Sequence, residues 1–475
     1  MKRVILLALF CTLLSGVLEA KSPYTKGENN PIMKDFDPFM IDQLEDGTGK
    51  QMSDLAKTKK FRKLVQKHDL KLMGGPMLGR MTGTSVDVWM RTTQPAEVQV
   101  FARPANGSGN TIRSQKMQAT AARDLVAEVR LDGLSPNTAY RYQVRVNGEP
   151  VFKKNQYPGF RTYPRKGQPG KSRVAFAACS RYIPKNEDMW TFMNTYKPQG
   201  FLTLGDNVYI DAPKNFSKQR LHYYRRQLRP EYKKFTASTS TYATWDDHDF
   251  GKNDSAGGTD PFKPSWKPKV WQIFRQNWVN PYYGGGKEYP GTWFDFYVGD
   301  VHFIVTDGRY YRDFDKGTML GKRQLKWLLN TLKNSKGTFK ILASSTLWTS
   351  KADKGGADSW WGVKEERNRI FDFIAENKIN GVVLISGDRH RADVYKMDWN
   401  GDYTLWEFEN AILTNKHHHG TRDQAHFSYV DKDGHLFGLF DFDTAADDPK
   451  LRYRVITKQD ETVFEKTLHL SDLTH

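Results

Sequence analysis

The chain has 475 residues, with 72 Lys and Arg against 54 Asp and Glu, a formal net charge of +18 and two cysteines. That length supports two or three domains around a large core, and two cysteines exclude a disulfide-dense scaffold. The positive field favours anionic partners. No nucleic-acid-binding module is recognisable, which argues against a specific nucleic-acid partner.

Residues 1–20 (MKRVILLALFCTLLSGVLEA) show two basic residues, an apolar core and a small residue at Ala20, the three-part pattern of a secretory signal peptide. The apolar stretch is too short to span a bilayer comfortably, and Phe10 before Cys11 argues against lipid anchoring. The expectation is an exported chain, periplasmic or secreted, that starts near Lys21 and has no transmembrane segment. Cys179 is then its only cysteine. In an oxidising compartment such a thiol is lost unless burial or metal ligation protects it.

Residues 21–70 are polar and charged, with an amphipathic helix predicted at 53–67; this extension is expected to pack on a later domain. Residues 71–165 alternate apolar and polar positions in SVDVWMRT, AEVQVFARP, LVAEVRLDGL and YRYQVRVNG, separated by Gly, Pro and Asn turns. LDGLSPNTAYRYQVRV resembles the fibronectin type III signature, so a supporting β-sandwich without chemistry of its own is expected. The Pro-, Gly- and Lys-rich stretch at 163–171 reads as a boundary. From 172 to 475, helical patterns at 188–196, 217–229, 269–278, 322–334 and 365–377 alternate with strands at 296–307 and 339–346, and β patterns return after 403. This is the layout of an α/β layered sandwich.

Four further apolar runs each end in a polar cluster: VAFAACSRY at 174–182, FLTLGDNVY at 201–209, TYATWDDHDFG at 241–251 and VVLISGDRH at 382–390. Such runs read as strands buried on both faces, and open α/β sheets gather ligands beyond the carboxyl ends of such strands. Those ends supply Cys179, Asp206, Tyr209, Asp246, Asp247, His248, Asp249, Asp388 and His390. Clustered carboxylates repel unless a cation neutralises them, so a metal crevice is expected. His417, His418 and His419 precede Gly420; a histidine run in a loop is more often without a catalytic role, and it is left out of the site.

Together these motifs resemble the metallophosphoesterase superfamily, and more closely the alkaline phosphatase D (PhoD-like) family. GGPMLGR at 74–80 and the β region are similar to that family's N-terminal domain. AACSR, GDNVY, WDDHDFGKND, VTDGRYYRD, LASSTLW and SGDRH follow its phosphatase domain in order. The resemblance implies two mixed sheets flanked by helices. It also implies a first metal held by Cys179, Asp206, Tyr209 and His390, with Asp206 bridging. A second metal would be held by Asp247 and Asp388, with Asn253 as a further candidate. Ferric iron and calcium are implied, zinc or another divalent ion being the alternative at either site. Donor hardness agrees, since the second set is mostly oxygen.

Ordinary superfamily members carry Asp-x-His where this chain has AACSR, a histidine where it has LASSTLW, and Asn-His where it has Asp247-His248. These departures argue against an ordinary di-zinc or iron–zinc enzyme. Purple acid phosphatases share GDNxY and a fibronectin-like domain but lack the substitutions. The implied reaction is in-line attack of a metal-activated water on phosphorus, with His248, oriented by Asp249, stabilising the transition state or protonating the leaving oxygen. Arg181, Asn207 and Arg389 are candidates for phosphate contact. The expected partner is a small phosphate ester as substrate, and the chain is expected to be a monomer. Two alternatives stand beside hydrolysis of mono- or diesters: a phosphodiesterase of phospholipid or teichoic-acid type, and a calcium-binding envelope or adhesion protein without catalysis.

Overall fold

The computed structural model describes residues 27–351, 358–401, 403–431 and 435–475; the expected signal peptide at 1–20 lies outside them. Two large sheets face each other. Lys171–Ala177, Gly200–Leu204 and Ser240–Thr244 run parallel at the centre of the first, beside an antiparallel trio, Leu436–Asp443, Lys450–Thr457 and Thr462–His469. The second sheet has Val301–Val305, Phe339–Ala343, Val382–Ser386 and Tyr403–Asn410 in parallel, edged by Phe294–Val298, Ala392–Trp399 and Phe427–Tyr429.

The apolar runs fill both faces of these strands, as parallel strands require. Phe176, Leu202, Leu204, Ile341, Val383 and Ile385 point into the core between the sheets. Their neighbours point outward, Ala175, Ala177 and Phe201 onto the helix Asp188–Thr195 and Leu342 and Leu384 onto the helix Gly321–Asn334. Leu325, Leu328 and Leu332 supply that helix's apolar stripe at the helical spacing. The result is a four-layered α/β/β/α sandwich, as expected.

The predicted single strand at 296–307 is instead a hairpin. Phe294–Val298 and Val301–Val305 pair antiparallel about a turn at Gly299, whose φ of 64° suits glycine. The predicted helix at 53–67 is broken into Met52–Leu55 and Lys59–Lys67, because Thr58 leaves the helix to cap the second piece at the amide of Phe61.

Residues 72–161 form two antiparallel sheets that share a core through Val86, Val88, Val98, Val100 and Val144. One of them, Leu72–Gly79, Ser85–Thr92 and Val126–Asp132, continues the nine-stranded sheet, with Leu78 paired in parallel with Ser240. This region is therefore joined to the α/β part through the sheet itself.

The helix Pro31–Leu44 starts with Asn30 accepting from the amides of Ile32 and Met33. It packs on the buried helix Phe216–Leu228, where Arg225 makes a two-pronged ion pair with Asp37 at 2.9 and 3.1 Å. Both partners are inaccessible to solvent. Removing one partner strands a buried charge, which costs about 3–5 kcal/mol. Asp37→Ala should lose that much in denaturant unfolding; a loss below about 1 kcal/mol would show that the pair does not anchor the extension.

Candidate metal centre

The four strand ends meet at one edge of the two sheets, and the chain turns sharply there. Cys179, Asp206, Tyr209, Asp388 and His390 all have left-handed backbone, with φ of 57°, 52°, 47°, 85° and 53°. That conformation costs about 1–2 kcal/mol for each residue with a side chain. Such strain persists where surrounding structure fixes it, and it gathers at functional sites. Here backbone bonds between the loops fix it: Cys179 donates to Gly205, Ser180 to Asp206, and Asn415 to Cys179, at 3.3, 2.9 and 3.2 Å.

The turns bring two donor groups together. Cys179, Asp206 and His390 are buried and offer ligand atoms within 4.8 Å of one another; Asp206, Asp247 and His248 do the same. Asp206 belongs to both. Tyr209 joins the first group, its hydroxyl 2.9 Å from His390 Nε2 and accepting from Asn415 Nδ2 at 2.8 Å. Cys179 Sγ lies 3.7 Å from Asp206 Oδ2, and Asp206 Oδ1 is buried with no hydrogen-bond partner among the described residues.

In the protein alone, every acid of the first group is driven toward its neutral form. Burial, Asp206 and Asp388 push the Cys179 thiol well up. Burial and Asp247 push up the Asp206 carboxyl. Burial, Asp206 and Cys179 push up the Tyr209 phenol. A cation among them reverses all three effects. Thiolate, carboxylate, phenolate and imidazole with an unpartnered oxygen fit a metal ion.

The second group is neutralised in part by protein. Arg309, fully buried, bonds Asp246 through Nε and Asp358 through both Nη atoms at 2.6 and 2.9 Å, and stands 3.7 Å from Asp247. Burial acts most strongly to raise Asp247, but Arg309, His248 and the Asp254 amide together outweigh it and hold the carboxyl below its usual range. Asp247 also forms a third donor group with Asp254 and Asp358.

Several residues stand elsewhere than expected. Asp249 does not orient His248. It is buried and accepts from the amides of Asn207 and Val208 and from Asn207 Nδ2, at 2.9, 3.0 and 2.8 Å. His248 Nδ1 is instead 2.6 Å from Asp211 Oδ1, and its ring lies 4.4 Å from that of Tyr209. Burial opposes the imidazolium, but Asp211, Asp206 and Asp247 outweigh it and raise its pKa to about 10. The Asn207 amide is hydrogen-bonded to Thr203, Thr244 and Asp249, at 2.6, 2.9 and 2.8 Å, and so holds the loop. Asn253 is exposed on its turn and makes no hydrogen bond among the described residues, while Asp254 nearby donates its amide to Asp247 at 2.6 Å. Asp388 acts on Cys179 and joins no donor group with Asp247 among the described residues.

Arg181 is exposed, its guanidinium 5.6 Å above the Tyr209 ring, and Arg389 is largely buried, its amide 3.3 Å from Glu409 Oε1. The sequence reading missed Asp211, Asn415 and Asp358. Arg309 lies within VTDGRYYRD, where the motif alone assigns it no role. Asp211 lies two residues past GDNVY, but nothing in that spacing reveals the chain reversal that brings it to His248. The histidine run also lies at the crevice, with the His417 and His419 rings 5.1 and 5.5 Å from His390.

The fold thus sets two donor groups that share Asp206 at the strand ends. The model of the PhoD-like phosphatase family matches residues 174–436, more than half of the chain. The chain belongs to that family. Residues 69–164 match a domain of unknown function, DUF7800. Alkaline phosphatase D of Bacillus subtilis (strain 168) is 26% identical over 314 residues, 55% of this chain and 52% of that protein, so the chain matches about half of that relative's length. The structure of PhoD superposes with a TM-score of 0.69 at 18% identity, covering 84% of this chain and 90% of that one. Purple acid phosphatase PPD1 from yellow lupin (Lupinus luteus) seeds gives 0.60 at 14% identity, over 83% and 74% of the two chains. Both share the fold.

The tight turns leave no room for side chains at their glycines. A Cβ on Gly205, where φ is 99°, would stand 2.5 Å from Asp246 Cβ and 2.7 Å from its amide nitrogen. Gly205→Ala should destabilise the fold by about 1–3 kcal/mol and lower the metal content found by elemental analysis. Wild-type melting and metal content would refute this account of the turn.

Proposed function

We propose that the protein is an exported metal-dependent phosphoesterase that hydrolyses phosphomonoesters, phosphodiesters or both. The observation that carries the reading is the pair of donor groups sharing the buried Asp206, one with sulfur, phenol and imidazole and the other rich in carboxylate. The first suits ferric iron and the second calcium or another divalent ion. The leader-like residues 1–20 support export, and residues 71–165 are read as a fibronectin type III-like support.

When bound, the ions supply Lewis acidity toward the phosphoryl oxygens and acidify a water. The chain's own part is positioning and proton transfer. Cys179, Asp206, Tyr209 and His390 would hold one ion, and Asp206 and Asp247 would hold the other. Asp388, expected beside Asp247, acts instead on Cys179 and is moved to the first ion's side. His248, held by Asp211 at 2.6 Å through Nδ1, is placed to donate a proton to the leaving oxygen from Nε2. Arg181, exposed over Tyr209, is placed to meet an incoming anion. Asp249 and Asn207 keep the GDNVY loop rigid beneath the reacting groups.

Parallel assays of mono- and bis-nitrophenyl phosphate across calcium concentrations test the reading. Turnover should require both metals, and His248→Asn should lower kcat by about 10²–10⁴-fold with a smaller change in KM. No turnover of either ester by protein loaded with iron and calcium would sink it. Tyr209→Phe is expected to remove any phenolate-to-iron colour; a variant that kept the colour would exclude Tyr209 as a ligand.

A further inference from the structure

Hydrolysis as proposed makes no use of the histidine run, yet the chain folds that run back over His390. The segment leaves the strand Tyr403–Asn410 through Ile412, whose φ is 76°, and Leu413 and Asn415 donate their amides to Ala178 and Cys179 at 3.1 and 3.2 Å. His417 and His419 stand on the same side of this strap, their rings 4.8 Å apart. One nitrogen of each of His390, His417 and His419 lies within 4.8 Å of the other two. No carboxylate or thiol takes part in this trio, which sets it apart from the two groups that share Asp206.

An all-imidazole set suits zinc-class divalent ions and is poor for calcium, which takes oxygen. Three imidazoles also leave a tetrahedral ion one open position. Tetrahedral zinc–nitrogen bonds place ligand nitrogens about 3.3 Å apart. His417 is exposed and His419 half-buried, so small ring rotations can close the remaining distance. We infer that His390, His417 and His419 form a third metal site, for a zinc-class divalent ion, at the rim of the crevice. Because His390 also belongs to the Cys179–Asp206 group, an ion held here competes for a ligand of the first metal. Excess zinc then acts as an inhibitor through this site.

Cobalt(II) is a suitable probe of the full-length protein carrying its resident metals. The wild type should bind one equivalent more than the His417→Ala/His419→Ala double variant and show the visible bands of tetrahedral cobalt. The resident metals found by elemental analysis should be equal in the two proteins, and His418→Ala should behave as wild type. Inhibition by excess zinc should weaken at least tenfold in the double variant. Equal cobalt uptake by wild type and double variant overturns the site. Loss of resident metal from the double variant also overturns it, by placing the two histidines in the first metal's own set. Metal counting needs no substrate, so the site and the hydrolytic reading fail separately.

Discussion

Buried negative charge is the constraint around which this protein is organised. Asp206, Asp246, Asp247 and Asp249 are each almost inaccessible, and Cys179 is fully so. An isolated buried carboxylate is strongly disfavoured unless paired, hydrogen-bonded or protonated. The chain answers differently at each position. Asp249 takes four backbone and side-chain N–H groups. Asp246 takes Arg309 and the hydroxyl of Ser345 at 2.7 Å. Asp206, like Asp246 at its second oxygen, keeps an oxygen with no hydrogen-bond partner among the described residues. Arg309 thus works as a fixed cation that satisfies the rear of the cluster and leaves the front to mobile ones. Asp358 completes the division, since it binds both Arg309 and Arg312 and holds the two guanidiniums in place.

Such a crevice needs rigid walls, and they are built from behind. Helix Phe216–Leu228 passes under the Cys179 loop, where Arg226 donates to the Ser180 carbonyl at 2.5 Å and Arg225 stacks 4.2 Å over Tyr182. Arg225 is held in turn by Asp37 of the N-terminal extension. Glu28 pairs with Arg229 one turn further along. A segment far from the strand ends in sequence therefore braces the loop that carries the thiol. The left-handed turns at Cys179, Asp206 and Tyr209 can hold their strain because the structure beneath them cannot relax.

The strand-end residues were legible in the sequence because a run buried on both faces announces both a strand and the place where it stops. Side-chain direction beyond that point was not. Asp247–Phe250 forms a single helical turn, so consecutive residues point about 100° apart. His248 faces the crevice, and Asp249 beside it turns under the GDNVY loop. Adjacency in sequence suggested a pair that helical geometry forbids. The true partner, Asp211, arrives because left-handed residues at 209 and 211 reverse the chain, and no local pattern encodes that reversal. The hairpin at 294–305 was misread for a related reason: a Gly-Asp pair between two apolar runs makes a turn, although the surrounding periodicity reads as continuous.

The histidine run shows how little a loop's sequence says about where it lies in the fold. A loop of three histidines is usually inert, and its sequence neighbours gave no hint of a destination. Its position is set by pairing at long range, through amide bonds from the strap to the strand end at Ala178 and Cys179. Those same bonds help fix the Cys179 turn. The strap that steadies one ligand of the first donor group thus carries two imidazoles to another, His390. Positioning and metal access are coupled in one segment. A change in the strap's conformation must be felt at both Cys179 and His390.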